Sequence, residues 1–164
     1  DMLGALEEVE SFGEFAKRNN AVASTDVKSF EHLVCTEQLS RRLGFRVGEE
    51  LIRVVRVRSL NGNARQVDHG YFLASIAKGL TPEIAADSIY GYLEHKRGVK
   101  VMASRRTVSV ELANDEDCSY LDLGKYNCVA VMESQSYTSD GILFEVTHAR
   151  THPEIFHYRV NSKR

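Results

Sequence analysis

The sequence predicts an α+β domain, one antiparallel sheet of about six strands flanked by short helices. Val- and Ile-rich runs alternate with period two, most clearly around Val108, Val110 and Leu112 and from Ile142 to Thr151. That is the pattern of strands whose successive side chains point to opposite faces. The links between these runs are short. Asn61-Gly62 is a strong hairpin signal and Ser139-Asp140-Gly141 a turn, whereas a parallel crossover needs a dozen or more residues. The remaining stretches carry helix caps at close spacing, so the helices are brief.

Taken in order, Leu3, Leu6, Phe12 and Phe15 recur loosely at helical spacing, interrupted by Gly4 and Gly13, and predict a short helix or two before a polar stretch to Asp26. Val27 to Cys35 reads as a strand. Thr36 is placed to cap a short helix that Gly44 ends. Leu51 to Leu60 and Ala64 to Leu73 form the hairpin about Asn61-Gly62. Thr81-Pro82 opens a helical segment running to about Lys96, with proline at the first helical position, where its missing N–H costs nothing. That segment is either one helix or two. Val99 to Leu112 follows as a strand, Asn114 caps a short helix ending near Leu123, and Tyr126 to Thr138, Ile142 to Thr151 and Phe156 to Val160 complete a meander around a bend at Pro153. In domain terms, residues 1–25 are expected to be linker and a short N-terminal helix, and residues 26–164 a single domain.

Composition narrows the function. A formal charge of −2, from 21 Lys and Arg against 23 Asp and Glu, lacks the basic footprint of a nucleic-acid binder. No apolar run approaches the ~18 residues of a membrane helix. Cys35, Cys118 and Cys128 are odd in number, widely spaced and without a C-x-x-C pair. They are expected to be buried small hydrophobes in a reducing cytoplasm. The opening Asp1-Met2-Leu3-Gly4 is not a secretory leader and suits a cut-out fragment or a processed protein.

Two patterns carry chemistry. On a strand, Ile52, Val54, Arg56 and Arg58 share a face, so two guanidiniums follow two aliphatic side chains. Their planar donor forks make an anion clamp if that face lines a pocket; otherwise both sit at a sheet end, paired with surface carboxylates. If Asp87 or Ser88 caps a second helix, the backbone N–H groups of Ile89 and Tyr90 become anion donors; in a single helix Ser88 is merely exposed. His148 and His152 have the spacing that chelates zinc on a helix. On a strand that spacing is ~13 Å, too far to share one ion. No metal or other cofactor is expected.

The chain resembles the UTRA domain, the effector-sensing module at the carboxyl end of HutC-type members of the GntR family of bacterial transcription regulators. The resemblance rests on Val27 to Val34 followed by Glu37 to Gly44, on Gly48 to Arg58 with its Asn-Gly turn, on Asp87 to Tyr90 before Tyr92 to Glu94, and on Tyr137 to Glu145. It implies a chorismate-lyase-like sheet used for binding, not catalysis. It also implies a homodimer, a small anionic metabolite (phosphosugar-like or carboxylate) as effector, and operator DNA contacted only through a winged helix-turn-helix absent from this chain. By that resemblance Arg56 and Arg58 hold the anionic part of the effector, with Ser88, Ile89 and Tyr90 at a helix start. Asp68 and Glu145 accept hydrogen bonds from its hydroxyl or amino groups. A plain two-residue turn sets Asp68 opposite Val55, whereas one bulged residue sets it opposite Arg56. Where many relatives carry a tyrosine followed by Arg-Gly-Asp or Arg-Pro-Asp, this chain has Thr151-His152-Pro153-Glu154, so Thr151 is a weaker candidate. The rival reading is a chorismate-lyase-like enzyme acting on a small carboxylate, for which no tuned acid or base is evident in the sequence. Arg56→Ala is expected to weaken effector binding by ~1.5 to 3 kcal/mol and leave the fold intact.

Overall fold

A computed structural model describes residues 12–158 and residue 163. The expected contributions of Leu3 and Leu6 lie outside the described residues. Helix α1 covers Phe12–Arg18, strand β1 Ala23–Val34, helix α2 Glu37–Leu43, and strands β2 and β3 Glu50–Leu60 and Asn63–Leu73. Helices α3 and α4 follow at Pro82–Asp87 and Ile89–His95, then β4 at Val101–Leu112, α5 at Asp115–Tyr120, β5 at Cys128–Thr138 and β6 at Leu143–Thr151. The six strands form one sheet in the order β1-β2-β3-β6-β5-β4, every pair antiparallel.

Local chemistry places the helices. The Thr36 side chain accepts from the Leu39 N–H to start α2, and Gly44, at φ 97°, ends it in the left-handed region that glycine enters without steric cost. Thr81 caps α3 with Pro82 in its first turn. Asn114 and Asp117 form a reciprocal capping box at the start of α5.

Three expectations are corrected. The first strand begins at Ala23 rather than Val27, because Ala23 to Asp26 pair with Val57 to Leu60; cross-strand hydrogen bonding extends it through residues that show no alternation of their own. The expected division between residues 25 and 26 therefore falls inside β1. Residues 156–158 form no strand. Pro153–Ile155 is a 3-10 turn, and β6 is already flanked by β3 and β5, so no open edge lies beside it for a following strand. Of the cysteines, Cys35 is buried, Cys128 is intermediate and Cys118 is exposed, since it falls on the outer side of α5.

The main core cluster joins Ile52, Val54 and Phe72 of the sheet to Ala85, Ile89 and Leu93 of α3 and α4, with Leu43 and Phe45 at its other side. A second cluster packs Val55, Val57, Val67, Val129 and Val131 against Leu121 and Leu123, just beyond α5. The helices thus cover opposite faces, and α3 with α4 cover only part of theirs. No helix among the described residues is long and apolar enough to cross a membrane.

Candidate functional site

The uncovered part of the α3–α4 face is a cavity of about 240 Å³. Strand register determines which side chains enter it. The hairpin closes with Leu60 opposite Asn63, and a bulge between Arg58 and Ser59 shifts the pairing by one, so that Arg56 faces Asp68 and Arg58 faces Gln66. The bulged alternative is the one adopted. From there rows run across the sheet: Asp68 to Ala149 and Gln66 to Thr151 on β6, then Ala149 to Met132 on β5. Gly70 sits in the next row. A Cβ there would lie 2.7 Å from the Phe72 ring, so the absent side chain leaves the ring its place in the cavity floor.

Of the eight residues expected at the site, Arg56, Arg58, Asp68, Ile89, Tyr90, Glu145 and Thr151 line this cavity. Ser88 does not. It breaks the helical segment in two with extended backbone at φ −147° and ψ 113°, and its Oγ accepts from the Gly91 N–H at 3.0 Å. Its part is to start α4 and thereby bring Ile89 and Tyr90 to the cavity wall.

The two strand arginines differ sharply. Arg56 donates from Nη2 and Nε to Asp68 Oδ2, at 2.5 and 3.2 Å, and from Nη1 to the Ala85 carbonyl at 3.3 Å. The pair is nearly enclosed, with side-chain exposures of 11% and 9%. Arg56 is therefore a strut that pins the end of α3 to the sheet. The expectation that Arg56→Ala spares the fold is corrected accordingly, because removing it strands a buried Asp68. Arg58 has no such partner. Its Nε is buried without a hydrogen bond, and burial, together with the neighbouring Arg56 charge, pulls its pKa down to about 10.

Glu145 is the acidic counterpart. It is 1% exposed and Oε1 accepts from the Tyr90 hydroxyl at 2.8 Å, while Oε2 is buried with no partner. Loss of hydration pushes its carboxyl up to about 7 against the opposing pull of the Tyr90 hydrogen bond, with the Asp68 charge adding to the rise. Burial and the Glu145 charge push the Tyr90 hydroxyl up as well. Sequence reading saw no acid or base tuned near neutrality, because the tuning comes from enclosure. Thr151 is 5% exposed and its Oγ1 accepts from Gln66 Nε2 at 3.0 Å.

Arg106 was missed. It lines the cavity from β4, in the row of Ser134, Thr147 and Gly70, four strand spacings from β2, or about 19 Å of backbone. Its position two before Val108 on the same face was the signal available. His148 and His152 separate as the strand geometry requires: His148 Nε2 lies 3.2 Å from Glu133, while His152 Nδ1 accepts from the Glu154 N–H at the 3-10 turn.

The UTRA domain family profile matches residues 18–157. The HTH-type transcriptional regulator TreR of Bacillus subtilis (strain 168) is 28% identical over 148 residues, which are 90% of this chain and 62% of that protein; the chain thus spans under two thirds of its relative. The structure of the effector binding domain of the B. subtilis trehalose repressor TreR superposes with a TM-score of 0.78 at 27% identity, covering 86% of this chain and 98% of that one. The effector domain of PhnF from Mycobacterium smegmatis has the same fold, with a TM-score of 0.80 at 17% identity over 94% of this chain and 96% of that one. With a family profile matching most of its length and a fold that superposes on the TreR effector binding domain, the chain belongs to the UTRA domain family.

Proposed function

We propose that this chain is the effector-binding part of a GntR-type transcription regulator, and that its cavity takes a small anionic metabolite, phosphosugar-like or carboxylate. One observation carries the reading. Among the described residues, the buried side-chain polar atoms without a partner are Arg58 Nε and Glu145 Oε2, and both residues line the same cavity. Burying a polar group unpaired costs about 1 to 3 kcal/mol, a cost that a ligand bringing an acceptor to Arg58 and a donor to Glu145 removes. Arg106 supplies further positive charge from β4.

In this reading the bound metabolite ties β2, α4 and β6 together, and the change reaches operator DNA through a winged helix-turn-helix outside this chain, in a cytoplasmic homodimer. The edge strand β4 favours the dimer: Val110 and Leu112 are 72% and 74% exposed on a strand with one free edge, the kind of apolar edge that proteins cover by pairing.

Thermal shift with a panel of phosphosugars, inorganic phosphate and small carboxylates tests the proposal. A ligand at a hundredfold excess over its Kd stabilises by about 2.7 kcal/mol, and no shift with any anion sinks it. Glu145, poised near neutrality, is the group a lyase would use. Incubation with chorismate and with the shifting ligands separates the readings, since a sensor leaves them intact and a lyase consumes one.

A further inference from the structure

The end of the cavity at Arg58 is closed by an element that does not belong to the sheet. Helix α1 sets the Phe12 ring against the Arg58 guanidinium, with Cζ 4.8 Å from the ring centroid. Phe12 is 7% exposed and packs with Ala16 of its own helix and Leu60 at the end of β2. Phe12 and Phe15 both line the cavity beside Arg58. A cation near an aromatic ring is attracted by the ring quadrupole, most strongly where water is excluded, and Arg58 is half-buried with its Nε shut off from solvent. The ring offers no hydrogen-bond acceptor, so the contact holds the guanidinium without using any of its N–H donors, and Nε stays unbonded. Arg56 shows the opposite case: Asp68 and Ala85 take up its N–H groups.

We propose that Phe12 is a positioning residue of the effector site, holding Arg58 through its ring and not through a hydrogen-bond acceptor, so that the N–H donors are left for an anionic group, and tying α1 to occupancy of the cavity. This rests on the anion-binding reading given above. It adds that the wall nearest Arg58 comes from the segment preceding the sheet. An anion that engages Arg58 then perturbs α1 through the Phe12 contact.

The test uses the whole 164-residue chain with inorganic phosphate as the probe, read by the NMR signals of arginine Nε–Hε groups and of the α1 backbone amides. Phosphate should shift a signal that R58K removes, saturably, and should shift the amides of Ala16 to Arg18 in the unaltered chain but not in R58K. F12L keeps apolar bulk and loses the ring, and should weaken phosphate binding about tenfold, equivalent to about 1.4 kcal/mol. F12Y keeps the ring and should recover most of that loss. F12M replaces F12L if the latter does not fold. F12L or F12M binding phosphate as tightly as the unaltered chain, or F12Y as weak as F12L with both folded, would reduce Phe12 to a cover. Silent α1 amides on saturation would remove the coupling. No saturable response at Arg58 to phosphate overturns this proposal, and the same silence with the phosphosugars and carboxylates of the thermal-shift panel sinks the anion reading itself.

Discussion

The two faces of the sheet both carry buried charge, and they treat it differently. On the face covered by α5, Arg150 donates from Nε to both oxygens of Asp117 and from Nη2 to one of them at 2.9 Å, while Nη1 approaches Glu111 at 3.3 Å. Asp117 is 0% exposed and also accepts from the Asn114 N–H in the capping box. His69 meets Glu116 at 2.5 Å and His148 meets Glu133 at 3.2 Å. On the cavity face, Arg56 is matched by Asp68, but Arg58 and Glu145 each keep a buried atom without a partner. Native proteins pair nearly all such atoms. A face whose buried charges are matched holds the fold together; the cavity face keeps hydrogen-bonding capacity that the described residues do not use.

That contrast can be broken from either side. The largest effect is expected at Asp117. Asp117→Ala leaves Arg150 buried without its main partner and removes half of the α5 capping box, which should cost about 3 to 5 kcal/mol in urea unfolding. Phosphate affinity of the folded fraction should be unchanged, and a fall in affinity would show that the faces are not independent.

Next comes the pH dependence set by Glu145. Its folded pKa of about 7 lies above the ordinary 4.5, so between those values the folded chain binds the proton more tightly than the unfolded one. The stabilisation is complete below about pH 4.5 and is lost as pH rises through about 7, an effect of about 3 kcal/mol at most. Glu145→Gln should flatten that slope in unfolding curves taken from pH 5 to 8. An identical slope in the variant would assign the titration to another group.

Arg58→Met keeps the apolar stem and removes the charge. It should weaken anion binding by about 1.5 to 3 kcal/mol while stability holds or rises, because an unsatisfied buried donor has gone. Arg56→Met, by contrast, should unfold more readily, since Asp68 is left buried and alone. Equal behaviour of the two variants in paired calorimetric and unfolding measurements would erase the distinction between strut and binding residue. The smallest effect is expected at the half-exposed Glu133. Glu133→Gln removes the His148 partner for under about 1 kcal/mol in thermal unfolding, and a larger loss would mean that this face depends on its surface pairs as much as on Arg150.

Much of this was legible in the residues. Thr36, Gly44, Pro82 and Asn114 mark helix ends by chemistry that acts within a few residues, and the α2, α3 and α5 caps fall where that chemistry requires. Alternation found the six strands, apart from the first residues of β1, and added one after Pro153 that residues 156–158 do not form; seven of the eight residues named by resemblance line the cavity. Arg106 was passed over although it stands two before Val108 in a clearly alternating strand, because only the sheet order carries that strand to the cavity.

The sequence by itself determined the class of fold and the hairpin at Asn61-Gly62, because caps, turns and period-two alternation are local properties of the chain. Tertiary structure decided the roles. One bulge beside Arg58 sets Arg56 against Asp68; enclosure raises the Glu145 carboxyl; and α1 brings a phenyl ring to Arg58 from 46 positions earlier in the chain. Register, burial and long-range packing depend on partners distant in sequence, so no local window of residues contains them.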